Sequence, residues 1–349
     1  MFEKTTWIRL PRNVVVGHGV LSETVDAISE LHLHGDPLLV TSPTPNEVAG
    51  QRVVEQFEDA EIDVKTVVIE EASFAVVQRV MEAAREVDAG YLVGVGGGKA
   101  IDIAKMASDE LGRGFVSIPT AASHDGIVSG RGSVPEKDTR HSVAAEPPLA
   151  VVADTEILAD APWRLTTAGC ADIISNYTAV KDWRLANRLQ NVEFSEYAAA
   201  LSEMTAEMLV DNAGSIRPGL EESAWVVTKA LVSSGVAMSI ADSSRPASGA
   251  EHLFSHKLDR IAPGAALHGH QVGVGSIVME YLHGGDWRGI RDALATLGAP
   301  TTADELGVDA ETVVEALTTA HEIRDRYTIL GNGMNEAAAV EAAERTGVI

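Results

Sequence analysis

Residues 90–105 read G-Y-L-V-G-V-G-G-G-K-A-I-D-I-A-K, a short apolar run, three glycines and then a pattern with helical spacing. The apolar run predicts a buried strand, and the residues from Lys99 to Leu111 predict a helix. Similar pairs of a strand and a helix precede this stretch, and another predicted strand follows it at Phe115 to Ile118. Alternation at this spacing predicts a parallel sheet with helices on both faces, as in a Rossmann-like α/β domain.

The character of the sequence changes about halfway along the chain. Further strands are predicted at Asn13 to Val16, Pro37 to Thr41, Val64 to Ile69 and Leu149 to Ala153, with a polar hairpin or loop at Val134 to Ala144. Beyond Pro162, helical patterns rich in Ala, Leu and Glu replace the strand signal. We therefore expect a dinucleotide-binding α/β domain at residues 1–158 and an all-helical, metal- and substrate-binding domain at residues 159–349.

Length and composition restrict the class of protein. A chain of 349 residues with 45% hydrophobic residues suits a large α/β enzyme. Cys170 is the one cysteine, which excludes a disulfide framework and suits a reducing compartment. We find neither the apolar core of a signal peptide nor an uninterrupted apolar run of about 18 residues. A cytoplasmic protein without membrane insertion is expected.

The charge of the chain is strongly negative. Lys and Arg number 27 against 51 Asp and Glu, which gives a net charge of −24 spread along the sequence. Such a surface repels nucleic acid, so a nucleic-acid partner is not expected. Because salt screens the self-repulsion, we expect the protein of a salt-accumulating halophile. An acidic protein from a high-GC genome is the alternative.

The glycines of the opening stretch suit a phosphate ligand. Gly96, Gly97 and Gly98 allow close approach, and the helix that follows points its first amides at whatever binds there. The motif departs from G-x-G-x-x-G because Lys99 stands at the last glycine position. It departs from a Walker A loop because Ala100 stands where Ser or Thr would bind magnesium. A tight turn without a ligand is the alternative.

A polar loop, P-T-A-A-S-H-D-G-I-V-S at residues 119–129, follows the next predicted strand. Ligands of doubly wound sheets bind at the carboxyl ends of the strands. We expect Thr120, Ser123 and Ser129 to offer hydroxyls to a cofactor, and Asp125 to accept a hydrogen bond from a substrate hydroxyl. A capped turn that binds nothing is the alternative.

Residues 248–275 carry four of the eleven histidines. His252 and His256 share one face of a predicted helix, and His268 opens the next helical run. Together with Asp172, which lies among small residues, His252 and His268 form a ligand set that leaves a position open on a catalytic metal. Zinc is preferred and iron remains open. Hydrogen-bonded structural histidines, and an N-cap role for Asp172, are the alternatives.

These motifs resemble those of the archaeal sn-glycerol-1-phosphate dehydrogenases, within the superfamily of dehydroquinate synthase and the iron-type alcohol dehydrogenases. The likeness covers nearly the whole chain. It is carried by residues 10–20, 93–105, 117–129, 169–186, 248–259 and 267–273. The loop A-S-H-D-G-I-V-S and the block S-N-Y-T-A-V-K-D-W are the most specific parts. The resemblance implies a dehydroquinate synthase-like fold.

The resemblance also implies site residues. It implies zinc bound by Asp172, His252 and His268, and substrate contacts or catalysis by Asp125, Asp172 and His256. It implies NAD(P) binding by Gly96, Gly97, Gly98, Lys99, Ala100, Ile101, Asp102, Thr120, Ser123 and Ser129. Iron-dependent members place a further histidine four residues after the carboxylate ligand, where this chain has Asn176. That difference favours a three-ligand zinc site.

The implied reaction is reduction of dihydroxyacetone phosphate by NADH or NADPH, which gives sn-glycerol 1-phosphate for archaeal ether lipids. A dehydrogenase of unphosphorylated glycerol and a dehydroquinate synthase-like cyclase remain alternatives. Arg245, Ser248 and Gly249 are candidates for binding the phosphate. The preference between NADH and NADPH stays open, and so does assembly into a homo-oligomer.

Overall fold

The computed structural model describes residues 5–136 and 139–349. Its strands are β1 (Asn13–Gly17), β2 (Pro37–Thr41), β3 (Lys65–Val68), β4 (Tyr91–Gly96), β5 (Gly114–Pro119), β6 (Arg131–Glu136), β7 (Thr139–Ala144) and β8 (Ala150–Asp154). Six of them form one parallel sheet in the order β1-β8-β5-β4-β2-β3, while β6 and β7 pair as an antiparallel hairpin. The predicted parallel sheet is confirmed. The polar stretch predicted at Val134 to Ala144 belongs to this hairpin, apart from residues 137 and 138, which lie outside the described residues.

The sheet changes direction between β2 and β4. From β2 the chain moves outward to β3, and from β4 it moves the other way through β5 to β8. A reversal of this kind opens a crevice at the carboxyl ends of the strands, where doubly wound sheets bind ligands. Strand β4 ends at Gly96 on that edge, and β5 ends beside it at Pro119. The topology thus brings together the glycine turn and the polar loop after β5.

The helices of the first half alternate with these strands. They are α1 (Thr24–Ser29), α2 (Pro43–Pro45), α3 (Gln51–Asp59), α4 (Phe74–Glu86) and α5 (Gly98–Leu111). A π-helical segment, Asn46–Gly50, joins α2 to α3. Helix α4 begins where the Ser73 hydroxyl accepts a hydrogen bond from the amide of Val76, an ordinary N-cap.

After β8, all elements of regular secondary structure are helical. They are α6 (Thr155–Asp160), α7 (Trp163–Ile174), α8 (Asn176–Gln190), α9 (Glu196–Asp211), α10 (Glu221–Ala241), α11 (Ala250–Ile261), α12 (His268–Leu282), α13 (Trp287–Leu297), α14 (Ala303–Leu306), α15 (Ala310–Thr319) and α16 (Glu336–Thr346), with short 3₁₀ turns between some of them. The expected helical second half is confirmed. The boundary expected after residue 158 falls inside α6, and the division into two domains stays a prediction.

Two apolar cores lie on opposite faces of the sheet because side chains alternate along each strand. On one face Leu39, Val93 and Val152 pack with Val53 and Phe57 of α3. On the other face the core runs on from the sheet into the helical half. Its members include Leu38, Leu92, Val151, Ile173, Phe254 and Ile277. This continuous core fixes α7, α11 and α12 relative to the sheet edge.

Helix α10 is long and apolar enough to meet the length and composition criteria of a membrane span. Its most apolar window has a mean hydropathy of 1.4, and half of that window is buried within the protein. Core helices of water-soluble proteins meet the same criteria. Across the described residues no other helix meets them.

Candidate active site

A cavity of about 110 Å³ lies between the loop after β5 and helices α7, α11 and α12. Its wall contains polar and charged side chains from distant parts of the sequence. Among the residues predicted for the site, those on the wall are Asp102, Asp125, Ser129, Asp172, Ser248, His252, His256 and His268. The fold therefore collects at one cavity the substrate residues and the metal residues that the sequence suggested separately.

The three predicted metal ligands come together on this wall. One potential ligand atom each from Asp172, His252 and His268 lies within 4.8 Å of the others. Nε2 of His252 is 3.7 Å from Oδ1 of Asp172, and the rings of His252 and His268 have centroids 5.1 Å apart. Asp172 lies on α7, His252 in the first turn of α11 and His268 at the first residue of α12. The continuous core holds these helices together.

Hydrogen bonds at the opposite ring nitrogens orient both histidines. Nδ1 of His252 lies 2.9 Å from Oε1 of Glu251, and Nδ1 of His268 lies 2.8 Å from the hydroxyl of Ser255. In each ring the contact is made by Nδ1, which lies across the ring from Nε2. Metal-binding histidines characteristically show this arrangement, in which a second group fixes the tautomer and the ring. The donor set therefore fits a divalent ion.

Glu251 is fully buried directly behind His252. Its carboxylate also accepts a hydrogen bond from the Thr178 hydroxyl at 2.8 Å. Burial raises the pKa of Glu251, but hydrogen bonds from His252 and the Gly249 amide outweigh it and hold the pKa below its ordinary value. Glu251 thus stays ionised next to the ligand set. The sequence interpretation gave it no role.

The surroundings of Asp172 disfavour its negative charge. It is buried, and its Oδ2 accepts a hydrogen bond from the Asp125 amide at 3.0 Å. Burial, followed by the nearby Asp125 carboxylate, raises the pKa of Asp172 to about 7. A metal ion held by Asp172, His252 and His268 would offset that cost, because an adjacent positive charge favours the ionised carboxylate.

His256 lies one helical turn beyond His252 on the same cavity wall. Its ring is stacked on that of His268, with centroids 5.6 Å apart and planes 21° apart. His256, Asp259 and His268 form a second group whose potential ligand atoms are mutually close, sharing His268 with the first group. His270 lies outside both groups, and its Nε2 is 2.9 Å from the Thr167 hydroxyl.

The glycine turn, Gly96 to Gly98, packs closely against the ring of His124. A Cβ on Gly98 would stand 1.9 Å from Nε2 of His124, whereas a Cβ on Gly97 would meet no heavy atom of the described chain within 4 Å. His124 is fixed in turn, because its Nδ1 accepts a hydrogen bond from the Gly126 amide at 2.9 Å. The Thr120 amide donates to the carbonyl of Gly96 at 2.9 Å and ties the two loops together. The open side of the turn is thus at Gly97.

The other residues predicted to bind the cofactor are placed differently. Lys99 reaches the carbonyl of Glu70 at 2.6 Å, and the side chains of Ala100 and Ile101 are in the core, so only their backbone belongs to the helix start. Thr120 and Ser123 are half-buried. Ser129 is fully buried, and its hydroxyl has no hydrogen-bond partner among the described residues. The cofactor roles of these residues remain predictions.

Two polar side chains that the sequence interpretation missed support the loop after β5. The buried ammonium of Lys105 donates to the carbonyls of Gly126 and Arg131, the latter at 2.6 Å. The hydroxyl of Ser234 donates to Oδ2 of Asp125 at 2.9 Å. The pKa of Asp125 is raised by burial, although the Ser234 hydrogen bond opposes the rise. These contacts fix Asp125 at the cavity wall.

Comparison with known proteins shows the family. Residues 15–162 match the model of the iron-containing alcohol dehydrogenases. Over the full length of both chains, the protein is 76% identical to glycerol-1-phosphate dehydrogenase [NAD(P)+] of Haloarcula marismortui. The chain belongs to the glycerol-1-phosphate dehydrogenase family. This membership confirms the resemblance inferred from the motifs.

More distant relatives and solved structures agree with this family. The glycerol-1-phosphate dehydrogenase of Methanosarcina mazei is 57% identical over 98% of this chain and 97% of its own. A probable glycerol dehydrogenase from Sinorhizobium meliloti has a TM-score of 0.80 at 20% identity and covers 98% of each chain. That likeness shows the fold and confirms the predicted fold class. The relative in Halobacterium salinarum, 75% identical over both full chains, supports the halophilic character inferred from the charge.

Proposed function

We propose that the chain reduces dihydroxyacetone phosphate to sn-glycerol 1-phosphate with NADH or NADPH, for the backbone of archaeal ether lipids. The observation that carries this proposal is the meeting of ligand atoms from Asp172, His252 and His268 within 4.8 Å, on the wall of the cavity that also reaches the loop after β5. Membership of the family supports the reaction. The structural likeness to glycerol dehydrogenases supports the fold only.

The chain's own residues would hold a zinc ion at this point. Asp172, His252 and His268 supply one oxygen and two nitrogen donors, and Glu251 and Ser255 keep the two rings in place. Zinc bound there would act as a Lewis acid and stabilise negative charge that develops on the ketone oxygen. With three protein ligands, a position remains for the substrate.

We propose that Asp125 and His256 contact the substrate. Ser234 and the backbone around Gly126 hold Asp125 at the cavity wall, where its carboxylate can accept a hydrogen bond from a substrate hydroxyl. His256 faces the same cavity, and its imidazole can contact the substrate or carry a proton to the carbonyl oxygen when the carbonyl carbon accepts the hydride. Asp172 is proposed to act in both parts of the site. It would bind the metal, and its carboxylate also accepts a hydrogen bond from the Asp125 amide.

The cofactor is proposed to bind at the sheet edge. The amides at the start of α5 would face its pyrophosphate, with Gly97 on the open side of the turn. Thr120, Ser123, Ser129 and Asp102 are the side chains proposed to contact it. The nicotinamide supplies the hydride, and the protein orients it towards the cavity.

We further propose a cytoplasmic enzyme that acts on a small molecule and does not bind nucleic acid. The net charge of −24 disfavours polyanions in general, so local positive charge is needed wherever a phosphate binds. We leave assembly into a homo-oligomer open, because the apolar helices of the second half can pack within or between subunits.

An assay that compares two ketones tests this function. NADH and NADPH oxidation are followed in high salt with dihydroxyacetone phosphate and with dihydroxyacetone. We expect faster turnover of the phosphorylated ketone and net accumulation of oxidised cofactor. A preference for unphosphorylated dihydroxyacetone would instead support a glycerol dehydrogenase. Net accumulation of oxidised cofactor would exclude a cyclase, which recycles its bound NAD in each turnover.

A further inference from the structure

Positive charge is concentrated beside the cavity of this acidic chain. Arg131 and Arg324 are both on the cavity wall, together with Ser244 and Ser248. Burial, followed by the charges of Arg131 and Arg245, lowers the pKa of Arg324 to about 10. Arg324 therefore stays protonated at neutral pH, in a place where two neighbouring cations repel it and the Glu251 carboxylate offsets part of that repulsion. Such an arrangement costs free energy unless an anion joins it.

Hydrogen bonds fix Arg324 in position. Its Nη2 donates to the Ser248 hydroxyl at 2.7 Å, across 76 residues of sequence. Arg326 donates to the carbonyl of Ser248 and, at 2.8 Å, to the hydroxyl of Ser244. Ser248 lies just before α11, the helix that carries His252. The guanidinium group and the candidate metal ligand are thus held by one rigid segment.

The guanidinium of Arg324 retains unused donor capacity. Its Nε is hidden from solvent and has no hydrogen-bond partner within the described part of the chain. Within the same part, no carboxylate forms an ion pair with Arg324 or Arg326, although the charge of the buried Glu251 opposes the lowering of both pKa values. A guanidinium on a cavity wall that has no carboxylate partner suits a phosphoryl group, whose oxygens accept several hydrogen bonds.

We propose that Arg324 binds the phosphoryl group of the substrate, with Arg326 as the residue that positions it and Arg131 as a second cation on the wall. This inference rests on the proposed function and assigns its phosphate subsite. The metal ligands and Arg324 share one small cavity, so a ligand with a carbonyl at one end and a phosphate at the other can reach both. Arg245 is not on that wall, and its Nη1 lies 3.4 Å from the carbonyl of Tyr327.

The test compares Arg324→Gln and Arg324→Lys with the wild-type holoenzyme in one high-salt buffer. Arg345→Gln is the matched control, because Arg345 is exposed on α16. We expect Arg324→Gln to lower kcat/KM for dihydroxyacetone phosphate by about 10- to 100-fold, as for the loss of a charge-assisted hydrogen bond. The value for dihydroxyacetone should stay within about twofold, and Arg324→Lys should recover part of the loss.

Inorganic phosphate provides a readout that does not depend on substrate identity. We expect it to compete with the ketone in the wild type and to inhibit Arg324→Gln at least about 10-fold more weakly. If the wild type did not prefer the phosphorylated ketone, the proposed function would fail, yet the phosphate inhibition would still report on Arg324.

Three results would overturn the assignment. Equal losses for both ketones would indicate a structural role for Arg324. A loss with NADPH but not with NADH would place the cofactor's phosphate there. Unchanged kinetics and unchanged phosphate inhibition in Arg324→Gln would show that the phosphoryl group binds elsewhere. If Arg324→Gln does not fold, Arg324→Lys decides by the same three comparisons.

Discussion

Oε1 of Glu251 lies 2.9 Å from Nδ1 of His252, and Nε2 of the same ring lies 3.7 Å from Oδ1 of Asp172. The imidazole of His252 therefore lies between two carboxylates, with Glu251 at its Nδ1 and Asp172 near its Nε2. Two neighbouring acidic groups in an apolar interior repel each other, and a cation held by Asp172, His252 and His268 would reduce that repulsion. Hydrogen bonds from His252, the Gly249 amide and Thr178 explain why an ionised Glu251 is tolerated in the core.

Glu251→Gln should weaken metal binding while the protein remains folded. The amide keeps the shape of the side chain but removes the charge that makes His252 a stronger ligand, and losses of about 10- to 100-fold are typical of such changes. Zinc affinity is measured by competition with a coloured chelator. Glu311→Gln, exposed at the start of α15, is the control and should bind zinc normally. Equal affinities for wild type and Glu251→Gln would contradict the positioning role.

Gly169→Ala should destabilise the contact between α7 and the loop after β5. A Cβ on Gly169 would stand 2.1 Å from the carbonyl oxygen of Ala122, and no side-chain rotation can relieve a clash with backbone. We expect a loss of about 1–3 kcal/mol in the free energy of unfolding, measured by denaturant titration at fixed salt. Gly214→Ala is the matched control, since its added Cβ meets nothing within 4 Å. Similar losses in both variants would contradict this explanation.

Cys170 should be chemically inert in the folded protein. It is fully buried, and burial raises the pKa of its thiol to about 12. Because the thiolate is the reactive form, no appreciable alkylation by iodoacetamide is expected at about pH 8, well below that pKa. Mass spectrometry of native and guanidinium-unfolded samples provides the comparison. Rapid alkylation of the native sample would show that the thiol is accessible.

Stability should increase with salt. The net charge of −24 produces self-repulsion that added ions screen, so the thermal midpoint should rise as KCl increases from about 0.1 to about 2 M. Three acidic side chains are exposed at the end of α3 and just beyond it, namely Glu58, Asp59 and Asp63. Replacing all three by their amides should reduce the salt dependence. An unchanged slope in that variant would assign the salt effect to something other than these charges.

Much of the fold could be predicted because local patterns decide it. The apolar run from Pro37 to Thr41 predicts β2 with the bounds found in the structure. The three glycines between an apolar run and a helical pattern place the strand-to-helix turn at Gly96 to Gly98. Strands followed by helices then require a parallel sheet, whose carboxyl edge collects the following loops.

The site could be predicted only where its residues are close in sequence or chemically distinctive. His252 and His256 share a helical face, and Asp172 stands out in an apolar helix. Ser234 gives no such signal, because its contact with Asp125 joins residues 109 positions apart. Arg324 likewise meets Ser248 only after the chain has folded. Glu251 is adjacent to His252, yet only the structure shows that its carboxylate contacts the imidazole.

The central claim is that Asp172, His252 and His268 hold a metal ion that the reduction of dihydroxyacetone phosphate requires. Titration of zinc into chelator-treated protein, followed by NADH oxidation with this ketone in high salt, tests it most directly. The account predicts activity that rises to a plateau at about one zinc per chain, and no recovery in Asp172→Asn or His268→Ala. Full activity of the metal-free protein, or of Asp172→Asn after the same chelator treatment, would contradict it.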